Sequence, residues 1–220
     1  MTVAIIGKGR FGTLLQNILQ PDHSVTLYDI GDALTTLNQH DTVFLCVPIR
    51  EFDAVVADIA PHLTAGTTVI DTCSVKLYPV DCMQKHLPDT VNIIATHPLF
   101  GPDSYFEGTQ NKMVMIDIQG DTTAYTTWKT YFSSLGIDVI ELSADEHDQF
   151  AARSQGITHL LGRALNDMGI CPTPIDTLGF TRLLGIVDQT CNDSRVLFED
   201  LQQYNPYTEA VLDDLKKSLL

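Results

Sequence analysis

A glycine-rich turn near the start of the chain limits the folds open to this sequence, because it stands between an apolar run and a helix-like segment. After the run VAII, glycines stand at Gly7, Gly9 and Gly12 in the spacing G-x-G-x-x-G, and the amphipathic stretch TLLQNIL follows. Glycines in this spacing let the chain turn sharply, approach a pyrophosphate closely and pack a helix against a strand. The helix N-terminus then faces the anion. This order of elements predicts a dinucleotide-binding unit.

An acidic residue indicates which dinucleotide is expected. Asp29 ends the next apolar run, 22 residues after Gly7. A carboxylate there accepts hydrogen bonds from the ribose hydroxyls and repels a 2′-phosphate, which favours NAD. Arg10 lies in the loop and can contact a phosphate, so NADP remains possible. The alternative is a glycine-rich turn that binds no ligand.

Short, β-rich apolar runs alternate with helix-like stretches over the first two thirds of the chain. Strands are predicted at residues 3–7, 24–29, 42–47, 67–71, 91–96, 113–118 and 136–142. Continuous apolar strands that alternate with helices indicate a mostly parallel sheet covered on both faces. The predicted fold class is therefore α/β, a Rossmann-type doubly wound sheet.

The pattern changes after Ser143, where apolar residues recur at helical spacing. We expect a dinucleotide-binding domain at 1–143 and a small all-α domain at 144–220. About 75 residues form a small core. The helical domain is therefore expected to pack on the first domain, on a second copy of the chain, or on both.

Charge and cysteine content exclude several classes of function. The net charge of −15 repels phosphate backbones, so no nucleic-acid partner is expected. Five scattered cysteines without a C-x-x-C pair predict neither a disulfide framework nor a zinc site, and no metal is expected. We see neither a signal-peptide pattern nor an apolar run of bilayer length, so we expect a cytoplasmic protein without membrane contact.

Polar residues follow several predicted strands where ligands bind in open α/β sheets. Val47 ends the third strand and Pro48 follows it, Ser74 follows the fourth, and His97 follows the fifth. In the usual winding order, the Ser74 and His97 loops are neighbours. A neutral histidine can take the proton of an alcohol as its hydride leaves. This pairing favours a dehydrogenase.

Other candidates have two interpretations each. Lys76, two residues after Ser74, is either part of the site or a solvated side chain. His159 lies on the inner stripe of the helical region, where a histidine is more often a core group than a ligand contact. For His97, the position at a strand end does not by itself distinguish a functional group from an ordinary histidine.

The same segments resemble the prephenate/arogenate dehydrogenase family of tyrosine biosynthesis, nearly from end to end. IIGKGRFGTLL resembles its nucleotide loop, DTCSVK its D-x-x-S-V-K segment, and THPLFGPDS its H-P-M-F-G-P segment. EHDQFAARSQGITHLLGRAL is similar to its first C-terminal helix. TPIDTLGF and NDSRVLFEDLQQYNP look most like the plant arogenate dehydrogenase branch.

The resemblance implies an activity and a set of roles. His97 matches the catalytic histidine and Ser74 its partner serine. The implied reaction oxidises the ring 4-hydroxyl of prephenate or arogenate and releases the ring carboxylate as CO₂. Expected cofactor contacts are Gly7, Gly9, Arg10, Phe11, Gly12, Asp29, Val47, Pro48 and Ser74. Expected substrate contacts are Thr96, Gln155, His159, Arg182 and Asp193. Homodimerisation through the helical domain is also implied.

Two positions bear on the substrate. The family's bacterial members carry an arginine that binds the ring carboxylate, and Arg182 is the preferred match. Its spacing from LFEDL is longer than the family pattern, so Gln189, Arg153 and Arg195 are alternatives. Asp193 matches an acidic residue of arogenate-preferring relatives, which favours arogenate.

Two competing functions remain open from the sequence. One is another Rossmann reductase with a helical tail, such as a β-hydroxyacid dehydrogenase or a pyrroline carboxylate reductase. The Ser74 and His97 pair argues against it. The other is a non-catalytic NAD-binding regulator, because a fold hosts many functions and several positions match the carboxylate-binding arginine.

Overall fold

The computed structural model describes residues 1–106, 108 and 110–219, so the last residue of the predicted helical region lies outside it. Contacts within the chain divide it into two compact units, Met1–Asp145 and Glu146–Leu220. In the part of the chain that is described, the strands all belong to the first unit, and the second unit is helical.

The described residues of the first unit form one seven-stranded sheet in the order β2-β1-β3-β4-β5-β6-β7. Its strands are β1 (Thr2–Ile6), β2 (Ser24–Tyr28), β3 (Thr42–Leu45), β4 (Thr68–Asp71), β5 (Asn92–Pro98), β6 (Lys112–Gln119) and β7 (Asp138–Glu141). Neighbouring strands are parallel except β5 and β6, which are antiparallel. The predicted Rossmann-type, mostly parallel sheet is confirmed.

The winding of the sheet creates a switch point beside β1. From β1 the chain goes to β2 on one side, and from β3 it continues to β4 and β5 on the other. Connections that leave the carboxyl ends of β1 and β3 therefore part in opposite directions. A ligand crevice forms at such a point.

Among the described residues of the first unit, four α-helices connect strands of the sheet: α1 (Arg10–Leu19), α2 (Phe52–Ile59), α3 (Leu77–His86) and α4 (Thr122–Ser134). Helix α1 buries Leu15, Ile18 and Leu19, three of the four apolar positions of the predicted amphipathic segment. Asp121 is the N-cap of helix α4, and its side chain accepts a hydrogen bond from Thr123 N at 2.8 Å. These helices cover apolar strands that would otherwise face water.

The core of the first unit is built around one aromatic cluster. Trp128 on α4 is 1% exposed and its ring meets Phe44 of β3 edge to face, with centroids 4.9 Å apart. The Trp128 indole N–H donates to the hydroxyl of Thr42 at 3.2 Å. The hydrogen bond satisfies the indole N–H, so the ring is buried without an unpaired donor.

The boundary between the units falls within α5 (Ala144–Ala151). The second unit continues with a π-helical turn (Ala152–Gly156), α6 (Ile157–Asp167), α7 (Leu178–Cys191), α8 (Arg195–Tyr204) and α9 (Thr208–Leu219). Helices α6 and α7 approach closely at Gly162, because a Cβ there would lie 2.0 Å from Thr190 Oγ1. Within the described ranges, no helix has the length and apolar character needed to cross a bilayer.

Candidate functional site

The glycine-rich turn joins β1 to α1, and its glycines differ in their surroundings. Gly7 has φ +110°, and a Cβ there would lie 2.2 Å from the Cys46 carbonyl oxygen. A Cβ on Gly12 would lie 2.0 Å from the Gly7 carbonyl oxygen. At Gly9, by contrast, a Cβ would have no described atom of another part of the chain within 4 Å. Gly7 and Gly12 therefore allow close backbone contacts within the turn, whereas Gly9 borders open space.

The open space at Gly9 fits a bound pyrophosphate. Gly9 is the N-cap of α1 and provides no side-chain hydrogen bond to the helix. The first N–H groups of a helix have no intrahelical acceptor, so they attract an anion. The first turn of α1 contains no acidic residue that would occupy this position. The arrangement therefore fits the phosphates of a dinucleotide.

The turn after β2 contains Asp29, the acidic residue predicted to bind the ribose of the cofactor. Asp29 follows the last residue of β2 directly and is exposed. Its Oδ1 accepts a hydrogen bond from Ile30 N at 2.9 Å, which orients the carboxylate. Since β1 and β2 are paired, the Gly7 turn and Asp29 lie at the same edge of the sheet.

The remaining predicted cofactor residues lie on this edge as well. Arg10 is exposed and pairs with Asp103, at 2.6 Å between Nη2 and Oδ1. Phe11 is half-buried, with its ring centroid 6.4 Å from that of Phe100. These two contacts join the glycine loop to the segment that follows β5. Val47 and Pro48 follow β3 after Cys46, with Val47 half-buried and Pro48 exposed.

Ser74 and His97 belong to adjacent strand ends. Ser74 is half-buried in the loop between β4 and α3. His97 is 3% exposed and lies inside β5, opposite Val114 of β6. The apolar run in the sequence predicts that this strand ends at Thr96. Pairing with antiparallel β6 carries the strand on to Pro98 and fixes the backbone of His97.

A buried ion pair connects these two strand ends. Lys76 and Asp71 are both fully buried, and the Lys76 ammonium donates to Asp71 Oδ2 and to the carbonyl oxygen of Thr96. Asp71 Oδ1 accepts from Thr96 N at 3.0 Å, and Thr96 Oγ1 donates to the Asp71 carbonyl at 2.5 Å. Lys76 is therefore not a solvated side chain, one of the two interpretations that the sequence allowed. It ties the Ser74 loop to the residue before His97.

Burial also shifts the pKa values of Asp71 and of two cysteines near these strand ends. Burial raises the pKa of the Asp71 carboxyl, and the neighbouring Lys76 ammonium opposes that shift. Burial raises the pKa of Cys73 far above its usual value and that of Cys46 to about 12. The two thiols beside the strand ends are therefore protonated and unreactive at neutral pH.

In the helical unit, three polar side chains occupy successive turns along one stripe. Gln155 Oε1, His159 Nδ1 and Arg163 Nε are each buried without a hydrogen-bond partner among the described residues. Gln155 lies in the π-helical turn, and such turns are frequent at functional sites. Unpaired buried polar atoms are costly in a folded chain, so these three can bind water or the polar groups of a ligand.

Asp193 lies beside this stripe. Its carboxylate is 3.7 Å from His159 Nε2, and its backbone carbonyl accepts a hydrogen bond from Arg163 Nη2. The Arg163 guanidinium also lies 5.8 Å from the ring centroid of Phe198. Burial lowers the pKa of His159, Asp193 opposes this and Arg163 adds to it. His159 is therefore neutral at neutral pH.

The arginines differ in their surroundings. Arg182, the preferred sequence candidate, is exposed on α7, and Arg153 is exposed in the π-helical turn. Arg195 is exposed and lies 3.5 Å from Glu199. Arg163 is half-buried and was not among the sequence candidates. Its position one helical turn after His159 was the only signal that could have identified it.

Two family models match the chain. The prephenate dehydrogenase nucleotide-binding domain matches residues 20–115. The TYRAAT1-like C-terminal domain matches residues 164–220. The two matches lie in the sheet-containing unit and the helical unit, respectively.

Relatives with known names match most of the chain. Arogenate dehydrogenase 2, chloroplastic, from Arabidopsis thaliana is 31% identical over 94% of this chain and 64% of its own length. Arogenate dehydrogenase 1, chloroplastic, from the same plant is 32% identical over 94% of this chain and 36% of its own length. This chain thus spans about two thirds and about one third of these two proteins.

A solved structure shares the fold. Prephenate dehydrogenase from A. aeolicus, in complex with hydroxyphenyl propionate and NAD⁺, has a TM-score of 0.80 and 20% identity. The match covers 100% of this chain and 88% of that one. The nucleotide-domain match and the two plant relatives together identify the chain as a member of the prephenate/arogenate dehydrogenase family.

Proposed function

We propose that this protein is an NAD(P)-dependent dehydrogenase that carries out the oxidative decarboxylation of arogenate or prephenate. One observation carries the proposal: the Asp71–Lys76–Thr96 contacts join the Ser74 loop to His97 at neighbouring strand ends, beside a dinucleotide-type turn. The names of the plant relatives, arogenate dehydrogenases, agree with this activity.

The first unit is proposed to hold the cofactor. Gly7, Gly9 and Gly12 let the pyrophosphate approach the N-terminus of α1. Phe11, Val47 and Pro48 are proposed to contact the cofactor between the pyrophosphate and the nicotinamide. Arg10 is proposed to exchange its contact with Asp103 for a phosphate. When bound, the nicotinamide supplies the acceptor for a hydride.

We propose that NAD is preferred, with Asp29 accepting hydrogen bonds from the ribose hydroxyls. A carboxylate at the end of β2 repels a 2′-phosphate. The family includes proteins of both kinds by name: the Saccharomyces cerevisiae relative is a prephenate dehydrogenase [NADP(+)], and the A. aeolicus structure contains NAD⁺. The preference therefore depends on local residues.

His97 is proposed to act on the ring 4-hydroxyl, with Ser74 binding the same oxygen. The imidazole takes the hydroxyl proton while the carbon–hydrogen bond at ring position 4 breaks and its electron pair leaves as hydride. The carbon–carbon bond to the ring carboxylate then breaks, CO₂ departs and the ring becomes aromatic. The proton returns from His97 to the phenolic oxygen. Proton transfer of this kind contributes roughly 10²- to 10⁴-fold to a rate.

The helical unit is proposed to bind the side chain of the substrate. Gln155 and His159 carry buried unpaired polar atoms that a substrate could satisfy. Asp193 is proposed to face the amino group of arogenate, which favours arogenate over prephenate. Arg182 remains the proposed partner of the ring carboxylate. Thr96 is proposed to contribute through its contacts with Asp71.

We also propose a homodimer formed through the helical unit. Several large apolar side chains of this unit are exposed in the single chain: Phe150, Met168, Ile175, Leu178, Leu183 and Val196. Exposed apolar side chains that lie together mark a contact with another protein. Sedimentation at several concentrations tests the association.

Turnover tests the proposed activity. Each of NAD and NADP is incubated with each of arogenate and prephenate, and the absorbance of reduced nicotinamide and the release of CO₂ are followed. We expect His97→Asn to lower kcat by about 10²-fold or more with cofactor affinity unchanged. His62→Gln is the matched control. Cofactor binding without turnover in all four combinations would favour the non-catalytic regulator.

A further inference from the structure

An ion pair bridges the glycine-rich loop and the turn after β2. Lys8 follows Gly7 directly, and its ammonium lies 2.9 Å from Asp32 Oδ2. The two residues come together because β1 and β2 are adjacent and parallel, with Ile6 opposite Tyr28 at their ends. Both side chains are partly exposed, at 43% and 44%. The pair therefore borders the region proposed for the ribose.

Asp32 is held in place by the turn that also presents Asp29. Its Oδ2 accepts a hydrogen bond from Asp29 N at 2.9 Å, and its own N–H donates to the Asp29 carbonyl at 3.0 Å. Gly31 has φ +89°, which lets the chain close this turn. The contact with Lys8 lowers the pKa of Asp32, so the carboxylate is ionised at neutral pH.

We propose that the Lys8–Asp32 pair is a determinant of the preference for NAD over NADP, a role that rests on the proposed use of a dinucleotide. A 2′-phosphate on the ribose would lie beside Asp29 and needs a cation. Lys8 is a cation at that position, and Asp32 neutralises and holds it. The Asp29 carboxylate therefore repels a 2′-phosphate. The Lys8 ammonium does not offset this repulsion, because it is paired with Asp32.

Asp32 makes two contacts that substitutions can separate: it accepts from Asp29 N and it pairs with Lys8. Asp32→Asn keeps an oxygen that can accept from Asp29 N, and removes the charge that holds Lys8. Asp58→Asn is the matched control. It removes one negative charge from the exposed face of α2, outside the turn that contains Asp32. Lys8→Met, alone and with Asp32→Asn, completes a double-mutant cycle.

The experiment measures the dissociation constants of NAD and NADP by calorimetry, without substrate, at low and high salt. In Asp32→Asn we expect NADP to bind about tenfold more tightly at low salt, because the released ammonium can make a charge-assisted contact with the phosphate. NAD affinity should change little, and salt should reduce the gain. In the Lys8→Met background, Asp32→Asn should give no such gain.

Each outcome has a defined meaning. An equal gain in Asp58→Asn shows a general charge effect and overturns the role of the pair. A gain that persists in the Lys8→Met background overturns the role of Lys8. Failure of the wild-type protein to bind either dinucleotide overturns the proposed cofactor use together with this inference. Failure of catalysis alone leaves the binding result interpretable.

Discussion

Lys76 and Asp71 form an ion pair in which both side chains are fully buried. The ammonium also binds the carbonyl oxygen of Thr96, the residue before His97. An ammonium has three donors on one nitrogen, so it can meet two strand ends at once. The contact fixes the spacing between the Ser74 loop and the strand that carries His97.

Lys76→Met should lower the free energy of unfolding by about 3–5 kcal/mol, because it leaves Asp71 buried without its partner. Urea denaturation measures the loss. Lys85→Met is the control, since Lys85 pairs with Asp53 at 3.1 Å on the surface. That pair should contribute less than about 1 kcal/mol. Equal losses in the two variants would contradict the special position of Lys76.

Gly9→Ala and Gly12→Ala should have opposite signatures. Gly9 has φ −69° and borders open space, so alanine should leave stability nearly unchanged and weaken dinucleotide binding. Gly12→Ala forces a methyl group onto the Gly7 carbonyl oxygen and should destabilise the fold. Thermal unfolding and calorimetric NAD titration separate the two effects. Unchanged affinity in Gly9→Ala would show that the open space is not the phosphate site.

Asp193→Asn should reduce the preference for arogenate. The carboxylate is proposed to face the substrate's ammonium group, which prephenate lacks, so kcat/KM for arogenate should fall by about tenfold. The value for prephenate should change much less. Asp188→Asn, on the exposed surface of α7, is the matched control. Equal losses for both substrates would indicate that the Asp193 carboxylate only supports His159.

His159 should make stability depend on pH. Burial lowers its pKa below the usual value of 6.5, so the unfolded chain binds this proton more readily than the folded chain. The free energy of unfolding is therefore highest well above pH 6.5, where His159 is neutral in both states. It falls as the pH drops through 6.5 toward the folded-state pKa. His159→Gln should flatten this part of the curve in urea denaturation at several pH values. His23, whose pKa burial also lowers, should account for part of the remaining slope.

Much of the sheet could be predicted from the sequence. Each of the predicted strands from 3–7 to 136–142 overlaps a strand of the structure. The inner strands β1, β3, β4 and β5 are buried on both faces and so appear as continuous apolar runs. The glycine spacing likewise predicted a turn whose backbone at Gly7 favours glycine. These features depend on local sterics and on burial, which the order of residues expresses directly.

The direction of β6 and the course of β5 could not be predicted in this way. An apolar run does not say whether its neighbour is parallel, and the antiparallel partner is what extends β5 through His97 to Pro98. Arg163 was missed for a similar reason. Its buried Nε depends on packing within the helical unit, and an arginine in a helical sequence is ordinarily solvated.

The α/β class, the dinucleotide-type turn and the neighbouring positions of Ser74 and His97 follow from the order of residues alone. The folded chain was needed to establish that Lys76 is buried on Asp71, that Lys8 is held by Asp32, and that Gln155, His159 and Arg163 carry unpaired atoms along one stripe. Local patterns report backbone geometry and average burial. The partner of a charged or polar side chain is set by which loops and helices the folded chain brings together.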